Sequence, residues 1–530
     1  MLQFKDLTFS YEGGEAPVLQ RLNLSYSPGE LALICGPTGS GKSTLLRAVT
    51  GLIPHFTGGQ LTGSIRVRQS ETSHELVGRK PHEIAELVGY VNQQPEQGFV
   101  ADTVTAELAF GMEQLGRPRS EMLRLIPETL EQFGLTKLAD RELASLSGGE
   151  QQRVAVAAAL CAGARVLLLD EPTSALDSAS AKLLLEELRR IAQTGITVLL
   201  AEHRIERALE MVDSVTVVHG DGSASKALVS EGLDPVLRDM RVVPPVIELG
   251  KFMGWQPLPL TIHTARDAWS RSRAAVRAGT ISPAGPQLLA VDRASMRFGD
   301  ARAVNEASFE LAAGQICALL GPNGAGKSSL LNAIWSGPTA GQVWLPSVSG
   351  QPNRLSPALR AKHIAYVPQD ASDLLLEQSI SAELTQSDEH SGATPGTTAK
   401  LFSALAGRQD PQRHPRDLSA GQQLALVLAM QLAGSAQVVM LDEPTRGLDY
   451  EAKRQLGNAL RLLKSQGKAI LVATHDVEFV ANTADLVMHI ADGQLSPARS
   501  VFEDLPGLGE AAPQLSQITG SALRLSQVVS

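Results

Sequence analysis

Two stretches of the chain, GPTGSGKST (36–44) and GPNGAGKSS (321–329), fit the pattern G-x-x-x-x-G-K-[ST]. Each follows an apolar run, LALIC or QICALL, and opens a helical pattern. Glycines there let backbone N–H groups converge on anionic oxygens, and the positive end of the following helix faces the same anion. Gly36, Pro37, Thr38, Gly39, Ser40, Gly41, Lys42, Ser43 and Thr44 are thus one candidate loop for nucleotide phosphates. Gly321, Pro322, Asn323, Gly324, Ala325, Gly326, Lys327, Ser328 and Ser329 are the other. Lys42 and Lys327 are expected to reach β- and γ-phosphates, and Ser43 and Ser328 to ligate Mg²⁺.

Two acidic pairs end buried-strand patterns, Asp170/Glu171 in VLLLDEP and Asp442/Glu443 in VVMLDEP. Ligands bind at that edge of an open α/β sheet. Each aspartate is expected to serve Mg²⁺, and each glutamate to orient or deprotonate an attacking water. His203 (LLAEHR) and His475 (LVATHD) end the next apolar run, where a histidine can contact a γ-phosphate. Gln93 (GYVNQQP) and Gln369 (AYVPQDA) are candidates to ligate Mg²⁺ or hold the water. SLSGGEQQR (145–153) and DLSAGQQLA (417–425) each read locally as a capping box, Ser147 with Glu150 and Ser419 with Gln422. Such a helix start also offers N–H donors to an anion that its own copy already holds elsewhere.

These elements occur twice in one order. The offset is 285 residues from Lys42 to Lys327, 276 from Gln93 to Gln369, and 272 for Ser147, Asp170 and His203 with Ser419, Asp442 and His475. The chain reads as a tandem duplication: a first domain over 1–222, an appendage and linker over 223–287, a second domain over 288–495, and a tail over 496–530. VVPPVIELGKFMGW predicts a proline-started short helix, echoed by AAPQLSQITGSAL with Pro513 taken against Pro245. Within each copy, buried-strand runs alternate with helices such as SASAKLLLEELRRIAQ, which predicts a mainly parallel sheet flanked by helices.

The ordered set of phosphate loop, glutamine, LSGGE, LLLDEP, SALD and histidine resembles the nucleotide-binding domain of ABC ATPases. The resemblance implies an α/β fold of tandem ABC-type P-loop NTPase domains, each with an antiparallel β subdomain and a helical subdomain, hydrolysing ATP with Mg²⁺. It implies two composite sites. One takes Lys42, Ser43, Gln93, Asp170, Glu171 and His203, closed by Ser419 and Gly421. The other takes Lys327, Ser328, Gln369, Asp442, Glu443 and His475, closed by Ser147, Gly148 and Gly149. Tyr11 and Phe298 match the adenine-stacking aromatic, with a core aromatic as the alternative, and Asp177 and Asp449 match a family aspartate at the start of the next helix. Ala420 and Ala425 depart from the pattern. An alanine at a positive φ costs about 1–2 kcal/mol; with ordinary φ its methyl crowds the anion. The site closed by Ser419 is therefore expected to be the slower of two hydrolytic sites.

The net charge of −9 argues against nucleic acid as a general partner. No apolar run is long enough to span a bilayer, and the N-terminus does not read as a secretory signal. Three cysteines without metal-ligand spacing suggest buried thiols in a reducing cytoplasm. Transport would then need separate membrane subunits docking near Gln93 and Gln369. PEQGFVADTVTAELAFG and VVPPVIELGKFMGWQPLPLT resemble segments of energy-coupling factor (ECF) transporter ATPases. They imply an engine at the cytoplasmic face of the membrane for uptake of a vitamin, a vitamin precursor or a metal ion. Its partners would be a transmembrane coupling subunit and a substrate-capture membrane protein. IPHFTGGQLTGSI is similar to versions linked to thiamine precursors. The rival readings are a ribosomal translation factor, which normally carries a long charged linker, and the ATPase of a sugar importer.

Overall fold

The computed structural model describes all residues except Glu15, Ser70, Glu71, Ala175, Asp177, Arg241, Val242, Ser282, Asp300, Arg408 and Ser530. The chain divides into two compact units, Met1–Thr261 and Ile262–Ser530.

In the first unit, six strands lie in the order Ala224–Leu228, Ser214–Val218, Leu31–Cys35, Thr197–Ala201, Val166–Asp170, Val88–Val91. All neighbours are parallel except the first pair. The strands Leu31–Cys35, Val166–Asp170 and Thr197–Ala201 are buried at every residue, which is why they read as unbroken apolar runs. Adjacent in the sheet, they bring the phosphate loop, the acidic pair and the histidine to one edge. A separate antiparallel sheet holds Leu19–Tyr26, Leu2–Ser10, Gln60–Gln69 and Thr72–Glu75 in that order. Helices Val104–Gln114, Arg119–Gln132 and Gly148–Cys161 pack on one another.

The second unit repeats the plan. Its main sheet runs Ile364–Val367, Val438–Asp442, Ala469–Thr474, Gln315–Leu320, Leu486–Ala491, Gln494–Leu495, with Arg499–Ser500 also on Leu486–Ala491. A three-stranded antiparallel sheet is formed by Ala301–Ala312, Gln287–Phe298 and Ala340–Trp344. Ile380–Ser391, Thr397–Ala406 and Ala420–Leu432 are its helical group. Both main sheets thus place the loop-bearing strand inside, between the histidine strand and a later one.

The segment between the two ATPase-like cores is shared. Helix Pro245–Phe252 lies in the first unit and starts with Pro244 as N-cap and Pro245 as its first residue. Helix Ile262–Arg271 lies in the second, where it packs on helix Gln514–Thr519 and Arg266 donates to the Gln517 carbonyl at 3.0 and 3.2 Å. Strand Ala275–Val276 pairs with Val528–Val529. Pro513 takes the N-cap place that Pro244 holds, one residue off the sequence match with Pro245. Cys35, Cys161 and Cys317 are free and buried.

Candidate functional site

Each phosphate loop bends where only glycine fits. Gly41 and Gly326 are the N-caps of helices Lys42–Val49 and Lys327–Ser336, with φ of 102° and 107°. A Cβ on Gly326 would stand 2.3 Å from the Ala303 carbonyl oxygen. The two lysines are 5% exposed, and Nζ donates to backbone carbonyls in the same way: Lys42 to Gly36 at 2.9 Å and Pro37 at 3.1 Å, Lys327 to Gly321 at 2.8 Å and Pro322 at 3.0 Å. A buried ammonium is costly unless it is bonded, and these carbonyls supply part of what each lysine needs. Ser40 Oγ is buried without a partner in the same loop.

The acidic residues sit against the helix starts. Ser43 Oγ donates to Asp170 Oδ1 at 3.0 Å, and the Tyr90 hydroxyl to Oδ2 at 3.2 Å. Burial pushes the Asp170 carboxyl above its ordinary range, Ser43 opposes this, and the Glu171 charge adds to it. Asp442 is raised for the same first reason, with Ser328 bonding it and Glu443 opposing ionisation. Asp442 Oδ1 is buried with no hydrogen-bond partner. A serine hydroxyl, a carboxylate and an unsatisfied oxygen are donors that fit a hard divalent cation.

Glu171 and Glu443 have left-handed backbone, φ 52° and 46°. Such a conformation is uncommon outside glycine and costs on the order of 1–3 kcal/mol, and it clusters at functional sites. Each is held by the neighbouring strand, Glu171 N–H donating to Ala201 O at 2.9 Å and Glu443 N–H to Ala473 O at 2.8 Å. Their carboxylates differ. Glu171 faces His203 Nε2 at 2.7 Å and accepts from Gln93 Nε2 at 3.0 Å. Glu443 meets His475 Nδ1 at 2.9 Å and Lys327 Nζ at 3.0 Å. Burial alone pushes Glu443 up, but the His475 bond and the charges of His475 and Lys327 outweigh it and leave the carboxyl below its ordinary range.

The geometry therefore gathers Lys42, Ser43, Gln93, Asp170, Glu171 and His203 in one unit, and Lys327, Ser328, Asp442, Glu443 and His475 in the other. Gln369 is exposed and, among the described residues, makes no hydrogen bond to Glu443. Tyr11 is half-buried, its hydroxyl 3.1 Å from Thr44 Oγ1 and its ring edge-on to Phe9, whereas Phe298 is 54% exposed. Ser147 and Ser419 both form the expected capping boxes, with helices starting at Gly148 and Ala420. Ser147 N–H and Oγ–H donate to Glu150 Oε2 at 2.8 Å each, and Ser419 N–H donates to Gln422 Oε1 at 3.1 Å. Gly148 needs no positive φ, and a Cβ there would meet nothing within 4 Å. The backbone-strain reading of alanine thus does not apply at Gly148, the first copy's counterpart of Ala420. Asp449 caps its helix by accepting the Ala452 N–H at 2.7 Å, and Asp177 lies outside the described residues.

Sequence reasoning overlooked Tyr90, which bonds Asp170 and whose counterpart Tyr366 is the same residue of AYVPQ. Burial pushes both hydroxyls up to about 12, with the neighbouring aspartate adding to the rise. Their recurrence at the same 276-residue offset as the glutamines was the available signal. It also overlooked Glu202 and Arg207, which have no acidic or basic counterpart in the second copy.

The fold and the paired sites define a tandem P-loop ATPase. The ABC transporter family model matches residues 19–174 and 304–446, and the chain belongs to that family as two fused ATP-binding, ATP-hydrolysing domains. A Streptomyces avermitilis protein named as an ABC transporter ATP-binding protein is 40% identical, covering 98% of this chain and 97% of its own. The Bacillus subtilis protein YkoD, named for HMP/thiamine import, is 30% identical over 97% of this chain and 94% of its own. Among solved structures, an archaeal ribosome recycling factor, aABCE1, in complex with the stalk protein aP1 has a TM-score of 0.59 over 94% of this chain and 91% of that one. At 22% identity that likeness shows the fold alone. Among the described residues, no helix is long and apolar enough to cross a membrane.

Proposed function

We propose that the chain is the ATPase subunit of an ECF-type importer for a vitamin, a vitamin precursor or a metal ion, working at the cytoplasmic face of the membrane. The observation that carries this reading is a repeated surface beside each glutamine. Val100 and Leu376, each seven residues past Gln93 or Gln369, are 64% and 74% exposed. A buried glutamate holds each loop from behind: Glu107 accepts the Val100 and Ala101 N–H groups at 3.0 and 2.9 Å, and Glu383 accepts the Glu377 N–H at 2.6 Å. Two rigidly presented apolar side chains suit a transmembrane coupling subunit, with a substrate-capture membrane protein completing the assembly. The import function in the name of the Bacillus subtilis relative supports the direction of transport and a thiamine precursor as cargo.

Hydrolysis then follows from the residues of each unit. Lys42 and Lys327 grip the β- and γ-phosphates, drawing on the field of the loop N–H groups. Glu171 and Glu443 orient water for in-line attack on the γ-phosphorus and accept its proton as the bond to the ADP oxygen breaks. His203 and His475 fix those carboxylates and contact the γ-phosphate. Ser43, Asp170 and Gln93, and Ser328, Asp442 and Gln369, would hold Mg²⁺, which neutralises charge on the phosphate oxygens when bound. The signature segments complete the sites crosswise: Ser419 and Gly421 at Lys42, Ser147, Gly148 and Gly149 at Lys327. Tyr11 and Phe298 stack on adenine.

Affinity purification of the tagged chain from native membranes tests the reading. The expected result is two integral membrane proteins in the complex and a bound small molecule that mass spectrometry identifies. Recovery with ribosomes, and not with membrane proteins, would overturn it in favour of the translation-factor alternative.

A further inference from the structure

Behind the hydrolytic centre of the first unit, a buried acid, Glu202, and a partly buried base, Arg207, both bond Thr173, and the second unit has neither at the matching positions. Glu202 is 2% exposed and directly precedes His203. Its Oε1 accepts the Thr173 N–H at 2.9 Å. Its own N–H donates to the Ile34 carbonyl of strand Leu31–Cys35 at 3.1 Å. Arg207 Nη1 donates to the Thr173 carbonyl at 3.0 Å and to its hydroxyl at 3.3 Å. Thr173 is two residues past Glu171, so Glu202 and Arg207 together hold the segment that keeps Glu171 in its left-handed backbone. The 272-residue offset puts Thr445, Thr474 and Phe479 at the places of Thr173, Glu202 and Arg207. There the two threonine hydroxyls bond each other at 3.0 Å and Phe479 is buried. The acid and the base are replaced by a threonine and a phenylalanine, and the charged pair there is a different one: Asp476, held by Lys453 at 2.5 Å, donates its N–H to Thr474 Oγ1 at 3.1 Å and accepts the Phe479 N–H at 3.0 Å.

We propose that Glu202 is a positioning residue for ATP hydrolysis in the first unit, fixing the Thr173 backbone and through it the direction of the Glu171 carboxylate. This rests on the reading of Glu171 as the group that prepares the attacking water. In the second unit the matching side chain is the neutral Thr474, and the adjacent Asp476 is ion-paired to Lys453, so the two sites are expected to respond differently to pH. Burial pushes the Glu202 carboxyl up to about 7; its bonds to Thr173 oppose this, the charge of Glu171 adds to it, and Arg207 opposes it. Ionised, Glu202 holds the Thr173 N–H by a charge-assisted bond, roughly twice as strong as the bond made by the neutral acid. The grip on the Glu171 segment therefore tightens as pH rises through neutrality.

The test is steady-state ATP hydrolysis by the full chain from about pH 6 to about pH 8.5, spanning that midpoint. Wild type, Glu202→Gln, the double variant Glu202→Thr/Arg207→Phe and Glu171→Gln are compared. Read in a Glu443→Gln background, where the first site turns over alone, kcat is expected to rise roughly two- to fivefold across the range, while KM for ATP stays within about twofold. Both Glu202 variants lose the rise. The double variant copies a packing the second unit already uses, and Glu202→Gln keeps the side-chain volume, so thermal melting identifies at least one folded comparison. A rise that persists in the folded variants overturns the proposal. Glu171→Gln separates the two failures. If it leaves first-site hydrolysis intact, the base assignment is wrong. If it abolishes that share while the Glu202 variants keep the wild-type profile, the positioning role alone is wrong.

Discussion

His203 reaches Glu171 through Nε2 at 2.7 Å, whereas His475 reaches Glu443 through Nδ1 at 2.9 Å. The two glutamates share a strand end and a left-handed backbone, yet they are held differently, Glu443 also by Lys327. If Lys327 takes up ATP phosphates as proposed, Glu443 loses that cation and keeps its histidine. The two glutamates are therefore not equivalently held, which bears on how each contributes to turnover.

The amides Glu171→Gln and Glu443→Gln remove the proposed proton acceptor at one site each. A positioned general base contributes roughly 10²–10⁴-fold, so each substitution is expected to silence its own site. On the proposed closure of the Lys42 site by the segment bearing Ala420, Glu171→Gln is expected to lower total hydrolysis less than Glu443→Gln. Equal losses, measured as phosphate release under saturating ATP, would refute the asymmetry.

Glu202 has a stability signature independent of catalysis. Its folded carboxyl titrates at about 7, above its unfolded value of about 4.5. Between those values the folded chain holds a proton that the unfolded chain has lost, so stability falls as pH rises through that window. The contribution is on the order of 3 kcal/mol in full. Glu202→Gln removes the titration. Urea unfolding at about pH 5 and about pH 7.5 is expected to show wild type losing more stability between the two than the variant. Parallel losses in the two proteins would contradict this.

Gly148→Ala isolates the effect of a methyl group at the signature helix. The site needs no positive φ and has open space, so alanine brings no strain within the unit. Fewer unfolded conformations are expected to stabilise the variant by about 0.4–1 kcal/mol. On the proposed closure of the Lys327 site by Ser147, hydrolysis there is expected to fall nonetheless, because the methyl would crowd the anion. A melting temperature that rises while kcat stays at the wild-type value would sink the reading of Ala420 as the cause of a slower site.

The site was readable where chemistry imposes residue type and spacing. GPTGSGKST, LLLDEP and the strand-end histidines sit on adjacent buried strands, whose unbroken apolar runs announce them. What the sequence hid depends on long-range geometry. Nothing local marks Glu171 and Glu443 as left-handed, since that conformation is imposed by Ala201 and Ala473 on the next strand. Glu202 reads as one more polar residue at a strand end until Thr173, 29 residues away, is seen to donate to it. The segment before residue 288 was hardest to read. Ile262–Arg271 carries no motif, and its contact with Gln514–Thr519 spans some 250 residues.

The central claim is that each ATP is held by one unit and closed by the other, and nucleotide-dependent cross-linking tests it most directly. Cysteines are placed at Gly148 and Asn323, both exposed, in the Glu171→Gln/Glu443→Gln background; the native thiols are buried and stay out of the reaction. The account predicts an intramolecular bond, migrating as a monomer, that forms with ATP and Mg²⁺ and not without nucleotide. A chain that binds ATP under these conditions yet never closes that bond would contradict it.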